Sequence, residues 1–265
     1  MLYFPQLITG ATSQLPCTKK IFQRTIVNSE PNGGTVKLFD PGACAVEWDM
    51  QLSGLTLEEW TALDALFEAT EGRLGTFQFL DPFGNLLKWS ESPSAATWTK
   101  DTGLHLTNGV TDHLGTTRAT RLANAGSGEQ GLRQSVSVPG WYQYCLSVWA
   151  RSDSPAPIRL TMTAGTDVSS QWFDTSTTWH RLELSMPLEI QTATAVTFGA
   201  AIGAGASVDV FGFQAEPQVG ASKYKSTTTH NAVFSNAYFL DDELRMTSNA
   251  PGEFSCALRI GAKAS

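Results

Sequence analysis

The chain has 265 residues, enough for two hydrophobic cores, and is 42% hydrophobic and only 16% charged. A formal net charge of −7 and a pI near 5.1, with no cluster of Lys or Arg, argue against binding nucleic acid through its phosphates. No apolar run approaches the ~18 residues that span a bilayer, so membrane insertion is not expected.

The opening residues contain Pro5 and Pro16 and lack a basic start ahead of a long apolar stretch, which is unlike a secretory signal. Synthesis and folding in the cytoplasm are expected. Cys17, Cys44, Cys145 and Cys256 are scattered, with no CxxC pair and no His at ligand spacing. They read as buried free thiols, with neither zinc nor a redox motif implied.

Residues 1–55 alternate short extended segments with turns at 29–34 and at Pro41-Gly42. In the last segment Cys44, Val46, Trp48, Met50 and Leu52 fall on one face, and Ala45, Glu47, Asp49 and Gln51 on the other. That is the period of a half-buried strand. One convincing helix follows. Thr56-Leu57-Glu58-Glu59 is a capping box, with the Thr56 hydroxyl taking the Glu59 amide and Glu59 returning to the Thr56 amide. Leu57, Trp60, Leu63, Leu66 and Phe67 share one side at helical spacing, and Gly72 is placed to close the helix in a left-handed conformation. After Gly72-Arg73 the chain turns into a strand with Phe77 and Phe79 on one face, ending in Asp81-Pro82.

This combination of a strand carrying Trp48, an amphipathic helix, a Gly-Arg turn and an aromatic strand ending in Asp81-Pro82 resembles the N-terminal β-barrel of distal tail proteins from long-tailed phages and related particles. The resemblance implies a virion protein of the tail tip. There it would form a homo-oligomeric ring, typically of six copies, coaxial with the tail tube and joined to tube, hub and baseplate proteins. It brings no catalytic residues.

From Asn85 onward many short strands are separated by Ser/Thr/Gly turns with no helical period, the texture of a sandwich or jelly roll. The opening Asn85-Leu86-Leu87, Ser90-Glu91, Trp98-Thr99-Lys100, the central Gln134-Ser135-Val136, the strand LSVWAR, Trp179 and the closing GFQAEPQVGASKYKSTT resemble carbohydrate-binding-like jelly rolls of phage tail and tail-fibre proteins. Beyond this module, strand-like runs at 234–240 and 254–260 flank a turn at 249–252, too little for a third core. The expected fold is mainly β. A small β-barrel or sandwich with one amphipathic helix, built from 1–84 and 229–265, is interrupted by an inserted jelly roll at 85–228.

Catalytic patterns are absent from the sequence. His105, His113, His180 and His230 form no metal-binding repeat, and there is no G-x-S-x-G, P-loop or G-x-G-x-x-G. Two carboxylates from distant strands remain open as a glycoside-hydrolysing pair, but Asp241-Asp242-Glu243 reads as a solvated edge. No enzyme and no cofactor is expected.

Sugar binding needs flat aromatic rings for the C–H faces and Arg, Asn, Gln or carboxylates for the hydroxyls. On the strand at 141–151 one face reads as core, while the other carries Gln143, Cys145, Ser147, Trp149 and Arg151. A second candidate is Trp172, beside Gln171 and Asp174. The carbohydrate-binding residues expected are therefore Trp149, Arg151, Trp172 and Gln171. The plainer alternative is that both tryptophans cover a sheet or meet a neighbouring subunit. Modules of this kind often hold calcium, for which Glu91 and Asp209 are candidates, but two ligands fall short of the six to eight oxygens calcium takes, so no metal is assigned. The functional expectation is a tail-tip subunit whose jelly roll binds host polysaccharide. The rivals are a spacer or docking surface for other tail-tip proteins, and a glycan-cleaving enzyme.

Overall fold

The structure, a computed structural model, describes residues 1–263; the side chains of residues 39–44, Cys44 among them, lie outside the described residues. In chain order the elements are β1 (Cys17–Ser29), β2 (Thr35–Leu55), α1 (Leu57–Ala69), β3 (Phe77–Leu80), β4 (Thr99–Lys100), β5 (Leu104–Val110), β6 (Ala119–Asn124), β7 (Gln130–Val136) and β8 (Gln143–Arg151). They continue with β9 (Pro157–Ala164), β10 (Asp167–Asp174), β11 (His180–Pro187), β12 (Val196–Ile202), β13 (Ser207–Glu216), β14 (Val233–Phe239), β15 (Met246–Ala250) and β16 (Glu253–Lys263). The chain is mainly β and divides into two compact units, one of Met1–Ile8, Thr12–Leu80 and Phe234–Ser265, the other of Thr9–Ala11 and Asp81–Val233.

The first unit is an open sheet in the order β1-β2-β16-β14-β3, with β15 paired to β16. The barrel anticipated from the sequence does not close. Beyond β3, among the described residues, the sheet gains only an isolated parallel bridge between Tyr3 and Gln78. The alternation read in β2 is present: Val46, Trp48, Met50 and Leu52 are buried, and Trp48 packs edge-on against Phe79 (4.8 Å) and Phe234 (4.9 Å). The turn expected at Pro41-Gly42 lies outside the described residues, and the pairing of β2 with β1 shifts register between Phe22 and Arg24. Past that shift, residues 24–29 and 35–40 continue as a two-stranded ribbon, closed by a turn in which the Glu30 amide donates to the Gly34 carbonyl (2.8 Å).

Helix α1 lies over this core through Trp60, Leu63 and Leu66. Leu57, expected on the same stripe, is 60% exposed, because the first turn carries it clear of the core. The capping box forms in full. The Thr56 amide donates to Glu59 Oε2 (2.8 Å) and the Glu59 amide to Thr56 Oγ1 (3.2 Å). Glu59 Oε1 also takes the Ile8 amide (2.8 Å), so one carboxylate caps the helix and anchors the N-terminal segment. At the other end Gly72 has φ +66 and donates to the Phe67 carbonyl (3.0 Å), a conformation a β-carbon would strain.

The second unit is a two-sheeted sandwich with strand orders β10-β9-β12-β7-β4 and β11-β8-β13-β6-β5, each five-stranded. Tyr144, Leu146 and Val148 of β8 face Ile158, Leu160 and Met162 of β9 and Phe198 of β12 across the buried interior. The β9 and β10 strands form a hairpin, Ala164 opposite Asp167, turning on Gly165-Thr166. The fully buried Cys145 thiol is pushed up to about 12 by burial, and that of Cys256 in the first unit to about 11, which keeps both unreactive.

Asn85, 1% exposed, locks the sandwich's two ends together. Its Nδ2 donates to the Phe213 and Lys225 carbonyls (2.9 and 3.2 Å), its Oδ1 accepts the Leu87 and Ala215 amides, and its own carbonyl accepts the Ala232 amide (2.9 Å). Thr227 Oγ1 and Asn231 Nδ2 add bonds to the Leu87 and Leu86 carbonyls (2.7 Å each).

Burial alone would raise the Glu59 carboxyl, but the bonds from Thr56 and Ile8 outweigh it and hold the group below its ordinary value. The stabilisation is therefore present above the unfolded Glu value of about 4.3 and is lost as pH falls through the folded one. Replacing Thr56 by Ala should cost about 1 kcal/mol in urea unfolding near neutrality. The cost should shrink as the solution is acidified; an equal cost throughout would remove Glu59 from the cap.

Candidate glycan-binding face

Period-2 alternation turns one set of side chains of β10, β9, β12 and β7 outward, and the strand pairing aligns them in rows. Trp172 stands opposite Arg159, then Ala201, then Gly131; the next row runs Ser170, Thr161, Gly199, Arg133 and Thr99, and the third Val168, Thr163, Thr197 and Ser135. From β10 to β7 this strip measures roughly 14 Å at the usual strand spacing. One margin is aromatic and cationic. Trp172 is 48% exposed, and the Arg159 guanidinium lies over its ring at 5.5 Å. The floor is small, made of Gly131, Gly199 and Ala201, all buried. A β-carbon at Gly199 would sit 3.0 Å from both Thr161 Oγ1 and the Leu132 carbonyl. Hydroxyls of Ser135, Thr161, Thr163, Ser170 and Thr197 and the Arg133 guanidinium complete the strip.

Its charges are held in place from the rim. Arg159 Nη2 is ion-paired with Glu129, while Arg159 Nε is buried without a partner. Arg133 Nη1 donates to Asp101 Oδ1 (2.8 Å), and Asp101 Oδ2 takes the Gly131 amide (2.9 Å). Burial would raise the Asp101 carboxyl, yet the bonds from Arg133 and Gly131 together hold it low. The result is a flat polar surface with one exposed indole, fixed donors and a floor without bulk. Such a surface can stack an aromatic ring on a sugar's C–H face and bond its hydroxyls.

Of the residues expected from the sequence, only Trp172 stands on this strip. Gln171 pairs with the core residue Leu160, so it points to the opposite face of β10, while Asp174, two residues past Trp172, shares that tryptophan's face. Trp149 and Arg151 belong to the other sheet. The side of β8 read as an open platform is covered: Cys145 and Ser147 are 0% exposed. Trp149 is stacked on His113 (4.1 Å, 7° between planes), and its cross-strand neighbour Arg181 donates to Ser147 Oγ (2.9 Å) and the Ser222 carbonyl (2.5 Å). Arg151 lies over Trp179 (5.1 Å) and donates to Asp209 Oδ2 (3.2 Å).

The two calcium candidates are likewise engaged, and separately. Asp209, 1% exposed, is held by Arg121 (2.6 Å) and Arg151, and Glu91 by Arg118 (3.1 Å). Among the described residues no group of three or more His, Cys, Asp or Glu is arranged to hold a metal ion. Asp241, Asp242 and Glu243 pair with Arg259, Arg73 and Arg245. Arg133, Arg159, Thr161 and Gly199 escaped the sequence reading because only the strand register brings them together.

No protein-family model matches the chain, and no curated protein does. Among solved structures it is similar to a family 22 xylan-binding domain from Paenibacillus barcinonensis, at 16% identity over 54% of this chain and 99% of that one, TM-score 0.42. It is similar to a family 61 carbohydrate-binding module in complex with β-1,4-galactotriose, at 15% identity over 49% and 97%, TM-score 0.37. A third likeness is to the enzymatically active domain of bacteriophage CBA120 tailspike protein 4, at 15% identity, TM-score 0.41, over 51% of this chain but only 22% of the tailspike chain.

Trp149→Ala, which removes a partly buried indole stacked on His113, should cost about 2 kcal/mol of sandwich stability in urea unfolding, whereas Trp172→Ala should cost no more than about 1 kcal/mol, the worth of an exposed cation–π pair. Burial, and then the nearby Arg118 and Arg181, hold the His113 ring below its ordinary value against the pull of Asp112. The unfolded chain therefore takes that proton first. Stability is full above the unfolded His value of about 6.5 and declines as pH falls below it. His113→Gln should flatten this part of the urea midpoint's pH profile; an unchanged slope would assign it to other groups.

Proposed function

We propose that the chain is a structural subunit of a phage-type tail tip. In this reading the first unit builds a homo-oligomeric ring joined to tail tube and hub or baseplate proteins, and the sandwich binds a host surface polysaccharide through the outer face of β10-β9-β12-β7. The observation that carries the glycan reading is Trp172, half exposed under Arg159 at the margin of a hydroxyl-rich strip floored by Gly131, Gly199 and Ala201. The tail-tip reading is supported by the sequence resemblance around Trp48, the capped helix and Asp81-Pro82.

The role is attachment rather than bond cleavage. The carboxylates that reach the strip's arginines, Asp101 and Glu129, each serve to position one, and Asp174 stands beside Trp172 on the same face. A single weak sugar site repeated around a ring gains roughly 10²–10⁴-fold in apparent affinity when several copies engage one surface. The protein would be synthesised in the host cytoplasm and act in the assembled virion.

The test is binding of the full-length chain to purified host surface polysaccharide by calorimetry or affinity electrophoresis. Trp172→Ala and Arg159→Ala should each weaken binding about tenfold, roughly 1.4 kcal/mol, while Gln171→Ala leaves it unchanged. Retained binding in both variants would remove this strip from the function, and release of shortened glycan by the wild type would replace attachment with catalysis.

A further inference from the structure

The sandwich has a polar hollow on the sheet opposite the strip. β5 is the edge strand of that sheet, and its pairing with β6 is interrupted by a bulge between Asn108 and Val110. A bulge leaves one residue unpaired and bends the strand. The unpaired residue is Gly109, at φ +82, and the space where a side chain would stand is open. Between this bulge, residues 91–92 and the chain entering β6 lies a cavity of about 220 Å³. Pockets for drug-sized molecules begin near ~300 Å³, so this one has room for a single small residue rather than a run of them.

Its lining groups are positioned by bonds behind them and keep free donors and acceptors. Arg118 Nε donates to Thr116 Oγ1 (2.9 Å) and stands 3.4 Å from the buried Asp112 carboxylate, while Nη1 donates to both Glu91 oxygens (3.1 and 3.3 Å). The guanidinium lies over the Phe211 ring at 5.1 Å, and its Nη2 has no partner among the described residues. Asn108 is fixed likewise, with Nδ2 donating to Ser94 Oγ (3.1 Å) and Oδ1 accepting from Thr120 (3.0 Å). The hydroxyls of Ser92 and Thr117 also line the cavity, and neither makes a hydrogen bond among the described residues.

We propose that this cavity is a carbohydrate site distinct from the strip, taking one neutral sugar residue, a chain end or a branch, by hydrogen bonds alone. Two carboxylates, Glu91 and Asp112, share one guanidinium, so an anionic group is repelled. Among the described residues no aromatic or aliphatic side chain lines the cavity, which excludes a ligand held by ring stacking or apolar burial. What remains is a carboxylate and a guanidinium side by side, flanked by a carboxamide and two free hydroxyls. A sugar hydroxyl donates and accepts at once, so neighbouring hydroxyls of one ring can donate to Glu91 and accept from Arg118 together. The ligand class follows from these groups and depends neither on the strip nor on a ring of subunits.

The experiment is saturation-transfer NMR of the full-length chain with the methyl glycosides of glucose, galactose, mannose, rhamnose, fucose and N-acetylglucosamine, and with methyl glucuronide as the charged control. Each is taken to about 50 mM, because so small a ligand binds in the millimolar range. At least one neutral glycoside should saturate and the glucuronide should not. Two variants test the place. Ser92→Ala with Thr117→Val leaves the Arg118–Glu91 pair intact, and Glu91→Gln keeps the side chain's shape; each should weaken that binding about tenfold. No saturation by any neutral glycoside would overturn the proposal, as would tighter binding of the glucuronide. Binding that survives in both variants would place the sugar elsewhere and overturn it too. Failure here leaves the strip standing, because polysaccharide binding through Trp172 is read separately.

Discussion

The buried carboxamide of Asn85 is the constraint on which the sandwich unit depends. A side-chain amide in an apolar interior costs several kcal/mol unless its donors and acceptor are all used, and here they are spent on backbone groups at both ends of the unit. The geometry can be met only when residues 85–87, 213–215 and 225 have come together, so the amide acts as a check on closure. Gln134 does the same for Lys88, whose amide and carbonyl it binds at 2.7 and 2.9 Å, and Gln214 for Lys225. With the first and last residues of the unit fixed side by side, the chain can leave one sheet after β3 and return to it at β14, its neighbour in that sheet.

The side chains that make the sandwich recognisable in the sequence are these same staples. Asn85, Gln134 and Gln214 are buried polar groups bonded to the backbone, whereas the exposed strip carries Thr, Ser and Arg of the kind found on any surface strand. Fold and site were therefore unequally legible. Helix α1 could be read to its caps because Thr56, Glu59 and Gly72 act within a few residues of one another. The alternation in β2 was readable for the same reason, since one strand suffices to show it.

What the sequence could not supply was everything that depends on a second strand. Alternation in β8 separates Trp149 and Arg151 from the core face, but a polar face is open only if nothing lies over it, and His113, Ser222 and Tyr224 arrive from distant segments to cover it. Leu57 matched the helical stripe by spacing but lies where the helix has left the sheet behind.

The β9–β10 hairpin has a further implication for variation. Its outward positions, Arg159, Thr161, Thr163, Val168, Ser170 and Trp172, alternate strictly with inward ones, Ile158, Leu160 and Met162, that fill the core. The two sets are written in the same stretch of chain but obey separate constraints, so drift at the outward codons leaves folding untouched. The surface chemistry of this sheet can therefore be rewritten within one short genetic interval, by point mutation or by recombination across the hairpin, while the core beneath it stays as it was.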